Sequence, residues 1–337
     1  MARRTSGSPW VKLFARSLKT AARSNARLGK RVVTQAIEAG MQALKPPPGP
    51  GDWIAGVAIG IAGARRFRLY RPPGIKFGER LPLMVMLHGC SQDARSFAVS
   101  TRMNRVAARH RFAVLYPEQD RLANAQGCWN WFDTRSGKAQ AEVSLIMKAI
   151  DQVCLLHPVD RTRVAVAGLS AGAGMAALLA TKHPDRFKAV VMHSGIPPGS
   201  AHSTMTALGA MRGRRATAAS GTADGAASWP PLMVVHGGID PVVSVSNGRA
   251  AVQLWADACG AQARPARRVQ RGQRHPMAVT DWARGRRIVA TLVEVGRLGH
   301  AWSGGAPSQP FSDARGPDAS RMAWAFAARQ FRRPAAA

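Results

Sequence analysis

Three residues, far apart in this 337-residue chain, could together perform acyl transfer: Ser170, Asp240 and His300. Ser170 lies in Gly168-Leu169-Ser170-Ala171-Gly172, a G-x-S-x-G pattern. The apolar run Val164-Ala165-Val166-Ala167 precedes it and an Ala/Leu-rich stretch follows, so the segment reads as strand, tight turn and helix. In that setting a strained turn lifts a serine hydroxyl over a sheet edge. The N–H after the serine then opens a helix, where developing negative charge is stabilised. The bland alternative is a βα turn with a helix-capping serine, and the strand–turn–helix context favours the nucleophile.

A serine nucleophile needs a base for its proton, an acid to orient the base and donors for the oxyanion. In the fold class that uses this elbow the order is serine, acid, histidine. Asp240 follows the buried run 231–235 and the Gly237-Gly238 turn, which suits a carboxylate projecting over a sheet edge. Its competitors fit less well, Asp224 sitting in a low-complexity loop and Asp257 inside a helix. His300, in Leu298-Gly299-His300-Ala301-Trp302 beyond the last strand, comes after the acid and is the base. His193 precedes the acid and takes a structural role, and His275, in an Arg-rich stretch, reads as a surface residue. The second oxyanion donor must follow an early central strand. Leu87-His88-Gly89-Cys90-Ser91-Gln92 stands there, pairing the N–H of Cys90 with that of Ala171 and leaving His88 to shape the loop. Each such donor stabilises the transition state by ~3 kcal/mol. This chemistry requires no metal and no organic cofactor.

The elements that must position these residues alternate. Apolar runs predict strands near 66–70 (an edge), 83–87, 112–116, 164–167, 189–192, 231–235 and 288–295. Helical patterns cover 96–110, 139–156, the stretch from the elbow to His183-Pro184, 247–259 and 319–331. Residues 54–64 read as an edge strand or packed loop, and 197–228 as a loop or cap. Strands alternating with helices imply an α/β fold, a mostly parallel sheet covered on both faces.

Composition bounds the rest. Against 48 Lys and Arg stand 18 Asp and Glu, a net charge of +30 that attracts polyanions. The basic residues are spread along the chain, so the charge reads as a surface property rather than a specific nucleic-acid site, and 260–287, with eight arginines, as a solvated insertion. No run approaches the ~18 apolar residues of a membrane span. Residues 9–44 read as a basic amphipathic helix and 45–51 as a Pro/Gly linker, which divides the chain into an arm over 1–50, a catalytic domain over 51–333 and a tail. The arm suits contact with an anionic surface or a polymer granule. Charge interrupts any signal-peptide core near residue 12, which points to the cytoplasm. Four cysteines are too few for a disulfide scaffold and lack metal-ligand spacing.

Several of these motifs occur together and in order. His88-Gly89-Cys90-Ser91-Gln92-Asp93, Gly127-Cys128-Trp129-Asn130-Trp131-Phe132, the elbow, His193-Ser194-Gly195 and Gly299-His300-Ala301-Trp302-Ser303-Gly304-Gly305 resemble the polyhydroxybutyrate (PHB) depolymerase family of esterases, whose relatives act on feruloyl and acetylated polysaccharides. The resemblance runs from about residue 65 to residue 331. It implies an α/β-hydrolase fold, the Ser170–Asp240–His300 triad, an oxyanion hole from Cys90 and Ala171, and a Cys90–Cys128 disulfide. It also implies a substrate site lined by His88, Trp129, Trp131 and Trp302. Secreted depolymerases of this kind carry a leader and a polymer-binding domain; the basic arm here shifts the expectation toward oligomers, amorphous granules or small esters. The resemblance still leaves an extracellular location open. The rival readings are a feruloyl or acetyl polysaccharide esterase, and a polyanion- or granule-binding protein with a vestigial hydrolase domain.

Overall fold

The structure, a computed structural model, describes residues 45–213 and 228–333. The expected arm over 9–44, the competing acid Asp224 and the tail at 334–337 lie outside the described residues. The described residues from 47 onward fall in one compact unit.

In chain order the strands are β1 (Asp52–Gly60), β2 (Gly63–Arg71), β3 (Leu81–Leu87), β4 (Ala113–Pro117), β5 (Val159–Leu169), β6 (Ala189–His193) and β7 (Leu232–Gly237), then β8 (Gln262–Ala263), β9 (Arg267–Val269), β10 (Met277–Arg284), β11 (Arg287–Val295), β12 (Trp302–Ser303) and β13 (Ser312–Asp313). Between them run α1 (Ala94–Thr101), α2 (Met103–His110), α3 (Lys138–Leu156), α4 (Ala171–Lys182), α5 (Thr204–Met211), α6 (Ser246–Cys259) and α7 (Ala319–Phe331). Strands β4, β3, β5, β6, β7 and β11 lie side by side in that order, each pair parallel. Every residue of β3, β4, β6 and β7 is buried, as strands covered on both faces require. One face carries a core that joins Phe97 of α1, Met103 of α2 and Trp324 of α7 to Phe112 and Trp302. On the other, α3, α4 and α6 pack against the same strands.

Three elements differ from the expectation. The 66–70 segment is not the edge: β2 is flanked by β1 and β4, both antiparallel to it. The single helix expected over 96–110 is broken at Arg102, which turns left-handed at φ 54°. Thr101 makes the break, its hydroxyl donating to Phe97 O at 2.9 Å and accepting the Met103 N–H at 3.3 Å. The basic stretch 260–287 is not a solvated insertion but the far side of the sheet. There β10 pairs antiparallel with β11 and carries β8 and β9, with Arg267 and Arg268 of β9 exposed. Within the expected loop 197–228, α5 is fixed by a capping box between Ser203 and Thr206. The loop's residues 214–227 are outside the described residues.

The parallel register brings distant residues to one place. Ser170 follows β5, Asp240 follows β7 and His300 follows β11, so all three stand at the C-terminal edge of the sheet. In open α/β sheets that edge is where ligands bind.

Candidate active site

Ser170 joins β5 to α4 with φ 56° and ψ −118°, a conformation a non-glycine residue adopts at a cost of about 1–3 kcal/mol. Its surroundings hold it there. The Ser170 N–H donates to His193 O at 2.9 Å. A Cβ on Gly172 would strike the carbonyl oxygens of Leu87 and His88, and one on Gly168 would strike the backbone of Gly172, so only glycine lets strand and helix meet. Ser170 retains 9% exposure at the first turn of α4. Among the described residues, neither the Ala171 nor the Cys90 N–H donates to a backbone carbonyl. Helix starts and strand-end turns leave such donors for a ligand.

Asp240 and His300 are brought together by the loops after β7 and β11. Gly237 lets them approach, since a Cβ there would strike Leu298 O, and Ile239 N–H donates to that same carbonyl at 3.2 Å. Asp240 Oδ1 accepts the backbone N–H groups of Val242 and Val243, each at 2.9 Å, which aims Oδ2 at His300. Oδ2 lies 2.8 Å from His300 Nδ1. Burial alone would raise the Asp240 carboxyl; the hydrogen bond and charge of His300, with smaller help from Val243 and His236, hold it below the usual carboxylate range. Asp240 is therefore ionised and accepts from His300 Nδ1–H, which leaves Nε2 as the ring nitrogen turned away from the carboxylate.

Two further imidazoles support this pair. His236 is buried, its Nε2 donating to Val243 O at 2.9 Å and lying 3.7 Å from Asp240 Oδ2. Burial lowers its pKa, so it stays neutral beside the carboxylate. His193, fully buried, ties the two halves of the site. Its carbonyl holds the Ser170 N–H, its Nε2 accepts the Ser303 N–H at 3.1 Å, and its ring stacks on Trp302. The structural role read for His193 agrees with these contacts.

The expected aromatic wall does not form. Trp129 and Trp302 are enclosed and spend their indole N–H groups inside, on His88 O and Ser320 Oγ, both at 3.1 Å. Trp131 packs against Gly174 of α4 and is also buried. His88 is fully buried with both ring nitrogens engaged, Nδ1 on Gly89 O and Nε2 on the Gln119 N–H. It shapes the loop and does not face a substrate. His275 is not a surface residue either: it is buried and its Nε2 lies 3.0 Å from Asp313 Oδ2. Asp257 remains on α6, engaged by Gln253.

Cys90 and Cys128 are joined by a disulfide that fastens the turn after β3 to the loop after β4. Beneath that loop, Gln119 and Glu142 form a buried polar cluster that sequence reasoning missed, because Glu142 reads as an ordinary helix surface acid. Among the described residues no group of three or more His, Cys, Asp and Glu side chains is placed to hold a metal ion.

An elbow serine and a hydrogen-bonded Asp–His pair on the same sheet edge, with a helix opening directly after the serine, are parts that a serine hydrolase uses. Residues 65–274, more than half of the chain, match the model of the family described as Esterase PHB depolymerase. The chain belongs to that family. The match to the Esterase PHB depolymerase family takes in Ser170, Asp240 and the disulfide and stops short of His300, whereas the expected resemblance ran to about residue 331. Among its relatives is the poly(3-hydroxyalkanoate) depolymerase C of Paucimonas lemoignei, 31% identical over 193 residues, 55% of this chain and 46% of that protein. The feruloyl esterase B of Thermothelomyces thermophilus is 26% identical over 202 residues, 54% of this chain and 66% of that protein. The chain thus spans about half to two thirds of the curated relatives it matches. An acetyl xylan esterase from Aspergillus awamori superposes with a TM-score of 0.58 at 17% identity, over 75% of this chain and 94% of that one. That likeness concerns the fold, and the fold of this family member is the α/β-hydrolase fold.

Proposed function

We propose that this protein is a serine carboxylesterase acting on short-chain hydroxyalkanoate polyesters or oligomers. The observation that carries the reading is the Asp240–His300 hydrogen bond at 2.8 Å, set on the same sheet edge as the strained Ser170. In the first half-reaction Ser170 Oγ attacks the ester carbonyl, and His300 Nε2 takes its proton and delivers it to the departing alcohol. In the second, water attacks the acyl-enzyme, His300 takes the water proton and returns it to Ser170, and the acid leaves. Asp240 holds the imidazole tautomer and stabilises the imidazolium. The N–H groups of Cys90 and Ala171 receive the oxyanion.

The matching relatives named as depolymerases support a hydroxyalkanoate acyl group. Those named as feruloyl and acetylxylan esterases support a polysaccharide ester as the second reading. Enclosure of Trp129 and Trp302 weighs against an aromatic acyl group such as ferulate. In this reading 51–333 is the catalytic domain, and the basic residues of 1–50 hold it on granules or another anionic surface.

The deciding experiment is hydrolysis of p-nitrophenyl butyrate and of amorphous PHB granules by wild type and Ser170→Ala. Loss of both activities in the variant supports the polyester esterase. Wild-type activity on the small ester, or on feruloyl or acetyl esters, without action on granules would move the substrate to the second reading. No wild-type hydrolysis of any of these would leave a binding protein. Deleting residues 1–50 should weaken granule hydrolysis alone.

A further inference from the structure

Glu142 sits on α3 among Ala139, Val143, Leu145 and Ile146, and it is buried with them. A carboxyl in that position is costly unless every lone pair is met. It is met by three donors. Oε1 accepts Gln119 Nε2 and Asn130 Nδ2, each at 2.6 Å, and Oε2 accepts the Asn130 backbone N–H at 2.8 Å. Burial pushes the Glu142 carboxyl up, while these hydrogen bonds and the charge of Arg65 pull it back.

The buried guanidinium of Arg65 completes the cluster without touching the carboxyl. It donates to Gln119 Oε1 and lies 5.6 Å from the Trp129 ring centroid. The Gln119 amide therefore spans a cation and an anion, its oxygen toward one and its NH2 toward the other. Reversing the amide would set like against like at both ends, so charge fixes its direction. That amide also donates to Cys128 O at 2.9 Å, while the Gln119 backbone N–H donates to His88 Nε2 at 3.1 Å.

From this cluster three ties run to the segment 88–90. They are the Gln119–His88 hydrogen bond, the Trp129 Nε1–His88 O hydrogen bond and the Cys128–Cys90 disulfide. The segment that carries the Cys90 N–H is thus pinned at both ends to a loop whose own anchor is Glu142. A buried charge network of this kind seldom adds net stability over apolar packing. What it supplies here is direction.

We propose that Glu142 is a positioning residue for the oxyanion site: acting through Gln119, Asn130 and Trp129, it sets the direction of the Cys90 N–H. The inference rests on the reading of Cys90 as an oxyanion donor to an acyl group on Ser170. Glu142→Gln keeps the side-chain volume but turns an NH2 toward one of the three donors, and Asn130→Ala removes one of those donors together with the acceptor of the Asn124 amide. Both are compared with wild type and Ser170→Ala by steady-state hydrolysis of p-nitrophenyl butyrate and by inhibition with a small alkylboronic acid. In that inhibition the serine oxygen adds to boron, its proton passes to His300, and one boronate oxygen occupies the oxyanion position. Complete loss of one oxyanion donor costs about 10²–10³ in kcat. A misdirected donor in Glu142→Gln should lower kcat about tenfold or more with KM within about twofold, and raise the boronate Ki by a similar factor. Asn130→Ala should move both quantities the same way by less, and it carries the test if Glu142→Gln does not fold. A lower melting temperature with wild-type kcat and wild-type Ki would overturn the proposal and leave Glu142 a structural residue. A raised KM at unchanged kcat would overturn it too. If Ser170→Ala keeps the wild-type rate, the acyl-transfer reading itself fails. If Ser170→Ala is inactive while Glu142→Gln is unaltered, the positioning role alone fails.

Discussion

The ring of His193 accepts the backbone N–H of Ser303 at 3.1 Å, 110 residues further along the chain. Its own carbonyl accepts the N–H of Ser170 at 2.9 Å. One residue at the end of β6 thus sets both the elbow after β5 and the loop after β11. The strand order β5-β6-β7-β11 makes this geometry available, because β6 lies between the strands that deliver the serine and the acid.

Replacing His193 by Leu should therefore cost stability and activity together. The side chain is fully buried, so the Ser303 N–H would lose its acceptor in an interior without a substitute. An orphaned buried donor costs about 1–3 kcal/mol. The expected outcome is a melting temperature lower by several degrees and a reduced kcat on p-nitrophenyl butyrate, since the loop carrying His300 loses an anchor. Unchanged kcat at full folding would show that the loop is held by its other contacts.

Acid should destabilise the protein through its buried histidines. Burial first of all lowers His88 to about 4 and His193 to about 3. The unfolded chain titrates near 6.5, so between that value and the folded ones it binds protons that the native state refuses. Stability from these groups is complete above pH 6.5 and is lost as pH falls toward 4 and then 3, up to about 8 kcal/mol in all. Thermal melts from pH 7.5 to 4.5 should show a falling midpoint that begins near pH 6.5. A flat midpoint down to pH 5 would contradict it.

The disulfide offers a separate handle. Closing a loop of 38 residues restrains the unfolded chain by about 4 kcal/mol in the chain-entropy account. Cys128→Ser, with Cys90→Ser to avoid a free thiol, should lower stability by at most that amount. It should also reduce kcat more than it raises KM, because it cuts one of three ties to the Cys90 segment. Urea midpoints together with steady-state kinetics at low temperature test both parts.

Much of this was legible in the sequence where local pattern and tertiary demand coincide. The run 83–87 is apolar throughout because both of its faces are covered, and Gly168 and Gly172 flank Ser170 because no Cβ fits there. The legible order of Ser170, Asp240 and His300 follows from strand order. What stayed hidden depends on long-range burial. Glu142 reads as a solvated helix residue until the 118–130 loop folds over α3, and His275 reads as surface until Asp313 arrives 38 residues later. The tryptophans flank catalytic loops in the chain, yet their partners lie inward, as His88 O and Ser320 Oγ show. The arginines of 260–287 masked the apolar start of β10, Met277-Ala278-Val279, which pairs with β11.

Asp240→Asn puts the orientation argument to its sharpest use. Oδ1 accepts two backbone N–H groups, from Val242 and Val243, so an asparagine must keep its carbonyl oxygen there. Its NH2 then faces His300 Nδ1, the atom that Oδ2 holds at 2.8 Å in the native protein. A donor at that place forces the imidazole proton onto Nε2, and Nε2 can no longer take the proton of Ser170. The fold has no reason to change, because the volume and the two backbone hydrogen bonds are kept. Activity should fall by roughly 10³–10⁴ near neutral pH with little change in KM or melting temperature. It should recover in part at high pH, where hydroxide or a minor tautomer can serve as base. A variant retaining more than about a tenth of wild-type kcat would mean that another residue orients His300, and the assignment of Asp240 would have to be withdrawn.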